Sequence, residues 1–169
     1  MLPSLLTGER LVKFYALAES SPPGALMEVG VYQGGSAEVL YGLAKKQDRE
    51  LWLYDTFSGI PHSHDIDPHK VGAFSETSFE VIRKEFPSAI IQKGIFPDGL
   101  MLPGKIAFVH LDCDQYKSYR QSLDELLPKV VSGGMIVCDD YALAGAAKAI
   151  DETKHEKEIL DSGQVLFRC

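Results

Sequence analysis

Acidic residues follow two short apolar segments of this chain. Asp112 comes directly after residues 106–111, and Asp139 and Asp140 come directly after residues 135–138. If these segments are adjacent parallel strands, spaced about 5 Å apart, the three carboxylates meet at one edge of a sheet. Carboxylates that close cannot all stay ionised without a proton or a cation. We therefore predict an Mg²⁺-like ion held by Asp112, Asp139 and Asp140. The alternative is that Asp139 and Asp140 cap the helix that follows.

Other polar residues near these carboxylates are candidate bases. Asp114 lies two residues beyond Asp112 and can face the same cleft, so it is the first candidate for a proton acceptor or outer metal ligand. The alternative is an N-cap for a helix that begins near Tyr116. His62 lies on a long polar loop and can serve as a base near neutral pH when the loop closes. Asp112, at the end of its strand, is a further candidate catalytic residue.

The same loop carries further metal-ligating residue types. They alternate along residues 62–69 and are His62, His64, Asp65, Asp67 and His69. Imidazole and carboxylate groups can ligate a second metal. The simpler interpretation is a solvated loop. Because the loop is long, we expect it to cover a pocket.

A glycine-rich segment, EVGVYQGGS at residues 28–36, lies between a predicted strand and a predicted helix. Glycines let a ligand approach the backbone, and free N–H groups at a helix start favour a phosphate or carboxylate. The spacing is GxxxGG, which does not meet the dinucleotide fingerprint GxGxxG. Asp55, about 20 residues further on, is placed to accept hydrogen bonds from ribose hydroxyls. A tight turn followed by an unrelated exposed Asp is the alternative.

Composition restricts the class of protein. The chain has 169 residues, of which 45% are hydrophobic and 24% charged, with a formal net charge of −7. We expect a single domain over 1–169, with an N-terminal helix and linker at 1–24 and a core at 25–169. The acidic balance without a basic stripe argues against nucleic-acid binding. The absence of a long apolar run or a leader argues against a membrane and predicts a cytoplasmic location. Three cysteines without CxxC spacing predict neither a disulfide framework nor a zinc site.

Short apolar runs alternate with stretches of helical period, which predicts an α/β fold with a mostly parallel sheet. The predicted helices are 7–19, 35–46, 75–86, 116–127 and 143–154, and the predicted strands are 25–31, 50–55, 89–93, 105–112, 135–138, 158–160 and 164–168.

Several of these segments resemble one known family. They are EVGVYQGGSA, YDTFSGIP, KGIFPDGL, HLDCDQY and GGMIVCDDYALAGAAKAID. Together they resemble the macrocin O-methyltransferase family, class I S-adenosylmethionine enzymes that methylate sugar hydroxyls in natural products. The resemblance extends over about residues 26–151. The first loop and the metal carboxylates are also similar, more distantly, to catechol O-methyltransferase.

The resemblance implies a Rossmann-like, doubly wound sheet of order 3-2-1-4-5-7-6 with the last strand antiparallel. It also implies roles for individual residues. The S-adenosylmethionine site would be formed by Glu28, Gly30, Tyr32, Gly34, Gly35, Ser36, Asp55, Thr56, Phe57, Gly94, Ile95 and Asp112, and the metal site by Asp112, Asp139 and Asp140. The lysine base of catechol O-methyltransferase corresponds to Gln115, so a lysine mechanism is not expected.

The predicted function is S-adenosylmethionine-dependent, divalent-metal-assisted methyl transfer to a hydroxyl of a sugar or small polyhydroxylated acceptor. Two alternatives stay open. A nicotinamide-dependent oxidoreductase also uses a glycine turn and a ribose-binding acid, and a non-catalytic S-adenosylmethionine-binding module would keep the fold alone. A homodimer is a further expectation, because the last strand leaves an edge that a partner subunit can cover.

Overall fold

The computed structural model describes Leu2, Leu6 and residues 8–169. The predicted first residue of the opening helix, Thr7, lies outside the described residues. The helices are α1 (Gly8–Ser20), α2 (Gly35–Gln47), α3 (Phe79–Glu85), α4 (Tyr116–Leu126) and α5 (Ala144–Asp151). The strands are β1 (Ala25–Val29), β2 (Leu51–Asp55), β3 (Ile90–Lys93), β4 (Ile106–Leu111), β5 (Val130–Cys138), β6 (Lys157–Ile159) and β7 (Val165–Arg168).

All seven strands of the described chain form one sheet in the order β3-β2-β1-β4-β5-β7-β6. The pairs from β3 to β5 are parallel, and β7 runs antiparallel to both β5 and β6. The predicted order and the antiparallel last strand are therefore confirmed. The last strand is paired on both sides, so it offers no free edge to a partner subunit, which corrects the reason given for a homodimer.

Helices cover both faces of the sheet, so the central strands are buried on both sides. Every residue of β1 and β4 is buried. On one face Phe14 of α1 and Leu40 of α2 pack in one apolar cluster with Phe108. On the other face Tyr119 of α4 and Ile150 of α5 belong to a second cluster. This arrangement explains why these strands read as continuous apolar runs rather than as alternating patterns.

Helix α3 begins later than predicted. Phe74 has a left-handed backbone (φ 59°), and Ser78 is extended. The Ser78 hydroxyl then accepts a hydrogen bond from the Val81 N–H at 3.4 Å, which caps the helix. The residues from the predicted start to Ser78 therefore belong to the preceding loop.

Strand β5 begins earlier than predicted, at Val130 instead of Met135. Ile106 of β4 pairs with Val130, whereas Phe108 pairs with Met135, so the extra residues of β5 form an irregularity in the ladder. Gly133 adopts a positive φ of 79° there. The glycines that read as a turn before the strand are thus a bulge inside it.

No helix in the described part of the chain combines the length and apolar character that a membrane crossing requires. The cytoplasmic location stays a prediction.

Candidate functional site

The ladder hydrogen bonds continue just beyond the ends of the parallel strands. The Asp112 N–H donates to Val29 O at 3.0 Å, and the Asp139 N–H donates to Leu111 O at 2.9 Å. The Gly30 N–H donates to Tyr54 O at 2.9 Å. The backbone thereby fixes the glycine loop and the acidic residues at one carboxyl edge of the sheet, where ligands bind in open α/β sheets.

A cavity of about 360 Å³ opens at this edge. Most of the predicted site residues line it, namely Gly30, Tyr32, Gly35, Ser36, Asp55, Thr56, Gly94, Ile95, Asp112, Asp114, Asp139 and Asp140. Four predicted residues do not: Glu28, Gly34, Phe57 and His62. The structure therefore brings the glycine loop and all five aspartates of the prediction together in one cavity.

Three of these exceptions have physical reasons. Glu28 is fully buried within β1. Gly34 has a φ of 88° and ends the turn into α2, where it faces the side chains of Ile82 and Phe86. Phe57 packs its ring against Phe79 with the ring centroids 5.3 Å apart. These three residues thus belong to the architecture around the cavity and not to its wall, and their binding roles stay predictions.

Asp112, Asp114, Asp139 and Asp140 form the acidic cluster, in which the negative charge of Asp112 is the least compensated. Desolvation and the neighbouring carboxylates of Asp140, Asp139 and Asp114 raise its pKa well above the ordinary value. Among the described residues none donates a hydrogen bond to its carboxylate. The Asp112 carboxylate thus has negative charge around it and no hydrogen-bond donor from those residues.

Asp139, by contrast, is already engaged. Its Oδ1 accepts a hydrogen bond from Gln164 Nε2 at 2.7 Å. Its Oδ2 lies 2.9 Å from Arg10 Nη2, which also donates to the Asp139 carbonyl oxygen at 2.7 Å. Arg10 comes from α1 and Gln164 directly precedes β7, so no local sequence pattern predicts either contact. Leu6 also lines the cavity.

Asp140 and Asp114 are joined to each other. The Asp114 N–H donates to Asp140 Oδ2 at 2.9 Å, and Tyr119 Oη lies 3.0 Å from the same oxygen. Asp114 has a left-handed backbone (φ 60°). Burial, followed by the charges of Asp140, Asp139 and Asp67, raises the pKa of Asp114 to about 7.

Neither alternative capping role is found. The N-cap residue of α4 is Gln115, which makes no side-chain cap, so Asp114 does not cap this helix. The N-cap residue of α5 is Leu143, again without a side-chain cap. The aspartates of the cluster therefore face the cavity instead of holding helix ends.

A buried pair lies beneath the cluster. His110 Nδ1 lies 2.8 Å from Glu28 Oε1, and both side chains are completely inaccessible to solvent. One ring nitrogen of His110 and one carboxylate oxygen each of Asp112 and Asp139 lie within 4.8 Å of one another. This is the only group of three such ligand atoms in the part of the chain that the structure describes, and it contains His110 where Asp140 was predicted.

Asp55 organises two loops. Its Oδ2 accepts hydrogen bonds from the N–H groups of Val31 at 2.7 Å and Tyr32 at 2.9 Å. Its Oδ1 accepts one from the Phe57 N–H at 2.7 Å. The carboxylate therefore ties the glycine loop to the segment after β2, a role that the sequence spacing did not reveal.

The segment between β2 and α3, residues 56–78, is called the lid loop here. Its Ile60 is buried, and the Ile60 N–H donates to Ala73 O at 2.8 Å. His69 lines the cavity, with Nε2 3.8 Å from Asp114 Oδ1. His62 lies outside the cavity, so its role as a base stays a prediction, and the loop histidine beside Asp114 is His69. No group of metal ligands is found among the loop residues that the structure describes.

Comparisons with known proteins agree with this architecture. The chain is 28% identical over 159 residues to 8-demethyl-8-(2,3-dimethoxy-alpha-L-rhamnosyl)-tetracenomycin-C 4'-O-methyltransferase of Streptomyces olivaceus, covering 82% of this chain and 61% of that protein. It is 29% identical over 160 residues to demethyldecarbamoylnovobiocin O-methyltransferase of Streptomyces niveus, with the same two coverages, 82% and 61%. The chain thus spans about three-fifths of the length of these curated relatives.

A solved structure of the O-methyltransferase NovP superposes with a TM-score of 0.81 at 26% identity, covering 94% of this chain and 78% of that chain. The sequence model of the family described as Macrocin-O-methyltransferase (TylF) matches residues 9–163, which include every strand except β7. With this match, the resemblance inferred from the motifs is confirmed, and the chain belongs to the macrocin O-methyltransferase family.

Proposed function

We propose that this protein transfers the methyl group of S-adenosylmethionine to a hydroxyl of a sugar or small polyhydroxylated natural product, assisted by a divalent metal. One observation carries the proposal: the glycine loop and five aspartates, Asp55, Asp112, Asp114, Asp139 and Asp140, line the same cavity of about 360 Å³. The names of the curated relatives support it, because one is an O-methyltransferase of a rhamnosyl-tetracenomycin and another is an O-methyltransferase of demethyldecarbamoylnovobiocin.

The glycine loop fits the cofactor. A Cβ atom at Gly30 would lie 1.8 Å from the Asp112 carbonyl oxygen, so there is no room for a side chain between the glycine loop and the residue after β4. Helix α2 begins after Gly34 without a side-chain cap. Its first N–H groups are therefore available to a carboxylate such as that of the methionine moiety. Asp55 retains acceptor capacity for ribose hydroxyls, because each carboxylate oxygen can accept more than one hydrogen bond.

The acidic cluster fits a hard divalent cation. The raised pKa of Asp112 reflects its burial first and then the negative charge of its neighbours, which a cation would compensate. Asp112 and Asp139 would hold the ion, because their carboxylates lie within 4.8 Å of each other and of a His110 ring nitrogen, and Asp139 would keep its contact with Gln164. Asp140 would join them as the third carboxylate of the sequence prediction. When bound, such an ion would orient the acceptor hydroxyl and make it more acidic. Asp114 lines the cavity two residues from Asp112, so we assign it the role of accepting the hydroxyl proton, by position.

We also propose that residues 25–169 form the methyltransferase core and that residues 1–24, the N-terminal helix and linker, belong to the same domain. Phe14 of α1 contacts Phe108 of β4 with the ring centroids 5.7 Å apart. Arg10 reaches the acidic cluster. Helix α1 therefore contributes both to the core and to the cavity wall.

Isothermal titration with S-adenosylhomocysteine, with and without Mn²⁺, tests the proposal. We expect binding by the wild type and loss of Mn²⁺ binding in Asp112→Asn, whereas the exposed loop variant Asp65→Asn should behave as the wild type. Absence of S-adenosylhomocysteine binding would overturn the proposal. Cofactor binding without turnover of any hydroxylated acceptor would favour the non-catalytic module, and a change in NADH fluorescence on mixing would favour the oxidoreductase.

A further inference from the structure

The lid loop is attached to the rest of the protein at two places. At the glycine loop, Gln33 Nε2 donates to Glu76 O at 3.2 Å, and the Thr77 hydroxyl donates to Tyr32 O. At the opposite side of the cavity, the loop contacts the start of α4 through Asp67. The loop therefore bridges the proposed cofactor end and the aspartate end of the cavity.

Asp67 supplies a cap that α4 itself lacks. The N-cap residue Gln115 makes no side-chain cap, so the first N–H groups of the helix need other partners. Asp67 Oδ1 accepts a hydrogen bond from the Tyr116 N–H at 2.9 Å, across 49 residues of sequence. Its Oδ2 accepts one from the His64 N–H at 2.8 Å, which holds the side chain in place. A carboxylate at a helix N-terminus is also favoured by the helix dipole.

A second helix start contacts the same carboxylate. Gly145 is the second residue of α5, and a Cβ atom there would lie 1.8 Å from Asp67 Oδ1. The glycine thus leaves the space that Asp67 occupies between the beginnings of α4 and α5. Any side chain at this position would have to displace the carboxylate.

The docked lid loop presents a cavity-lining residue to the aspartates. Two residues beyond Asp67, the carbonyl oxygen of His69 accepts a hydrogen bond from Gln115 Nε2 at 3.2 Å. The His69 ring lies 4.9 Å from that of Phe74 and places Nε2 3.8 Å from Asp114 Oδ1. His69 and Phe74 both line the cavity.

We propose that Asp67 is a positioning residue that holds the lid loop closed by capping α4 from a distant segment, and thereby fixes His69 beside Asp114 on the acceptor side of the cavity. The attachment itself is a property of the fold. Its effect on turnover rests on the proposed methyltransferase function.

Hydrogen–deuterium exchange of the whole chain tests the attachment without requiring activity. In Asp67→Ala we expect amides of residues 60–73 and of Tyr116 to exchange roughly fivefold faster, the loss expected for one helix cap. Asp67→Asn retains an acceptor oxygen and should restore much of the protection. Asp65→Ala, an exposed residue of the same loop, is the matched control and should exchange as the wild type.

Gly145→Ala tests the same contact from the other side. Alanine in place of glycine inside a helix ordinarily stabilises it. If this variant nevertheless opens the lid loop as Asp67→Ala does, displacement of the carboxylate is the cause. Gly42→Ala is the control, because a Cβ atom there meets nothing within 4 Å.

Turnover supplies the readout that a merely structural role would not change. We expect Asp67→Ala to raise the acceptor KM and lower kcat while S-adenosylhomocysteine affinity stays within twofold, because the contacts at the glycine loop remain. Unchanged exchange in both Asp67→Ala and Gly145→Ala would overturn the inference, and so would an unchanged acceptor KM in a variant whose loop exchanges faster. If the wild type binds no S-adenosylhomocysteine, the proposed function fails, while the exchange results still decide whether Asp67 holds the loop.

Discussion

Gly30 and Asp112 approach each other so closely that a Cβ atom on Gly30 would lie 1.8 Å from the Asp112 carbonyl oxygen. The approach joins the glycine loop after β1 to the acidic residue after β4. Gly30 also has a φ of 91°, which side chains rarely allow. The two sets of proposed functional residues are thus held together by backbone contact, not by a flexible side chain.

Gly30→Ala should therefore damage both stability and ligand binding. The positive φ alone costs about 1–3 kcal/mol, and the steric conflict with Asp112 adds to it. We expect the urea midpoint to fall, and the folded fraction to lose affinity for S-adenosylhomocysteine because the loop must move away from β4. Gly42→Ala is the control, and a midpoint for Gly30→Ala equal to that control would contradict the argument.

The buried pair of Glu28 and His110 gives a second prediction. Both side chains are inaccessible, and their atoms Oε1 and Nδ1 lie 2.8 Å apart. Removing one partner, as in Glu28→Leu or His110→Leu, should cost about 3–5 kcal/mol, because the other polar group is left buried alone. Equilibrium urea unfolding measures this free energy.

The double variant Glu28→Leu with His110→Leu separates pairing from packing. Replacing both partners by apolar side chains of similar size is often close to neutral. We expect the double variant to be more stable than either single variant. If the two single losses simply add in the double variant, the pair is not coupled and the prediction fails.

Much of the fold follows from local sequence. The runs at residues 106–111 and 135–138 are continuously apolar because helices cover both faces of the sheet, and their carboxyl ends meet as parallel geometry requires. Helix α3 begins at Phe79 and not at the predicted residue 75, because Ser78 is extended and its hydroxyl caps the helix.

The cavity residues likewise include some that a local sequence pattern predicts and some that it does not. Asp112, Asp139 and Asp140 could be placed because they directly follow strands. The roles of Arg10, Gln164 and Asp67 depend on contacts over 129, 25 and 49 residues of sequence. No local pattern encodes such contacts. For the same reason the sequence predicts His62 as a candidate base and gives His69 no such role, since only the path of the lid loop decides which histidine faces Asp114.

His62 should titrate below the ordinary histidine range. Desolvation lowers its pKa, Lys117 lowers it further, and Asp98 opposes this shift. Because the pKa is lower in the folded than in the unfolded protein, His62 should contribute stability at neutral pH that is lost as pH falls through the folded-state pKa. NMR titration of the His62 ring checks the direction, and His62→Gln should show a shallower decline in stability between about pH 7 and pH 5. A His62 midpoint at or above the ordinary histidine pKa of 6.5 would contradict the prediction.

Arg10 competes for Asp139 with any cation bound by the acidic cluster. Its Nη2 lies 2.9 Å from Asp139 Oδ2, and its guanidinium is the positive charge that α1 brings to the cavity. Removing that charge in Arg10→Met leaves the carboxylates more negative, so we expect Mn²⁺ to bind up to about tenfold more tightly, or about 1.4 kcal/mol. Lys13→Met removes an equal charge from the exposed side of the same helix and is the matched control. Electron paramagnetic resonance of free Mn²⁺ measures both affinities without relying on turnover. Weaker Mn²⁺ binding by Arg10→Met than by Lys13→Met would mean that Arg10 orients Asp139 for the ion instead of competing with it.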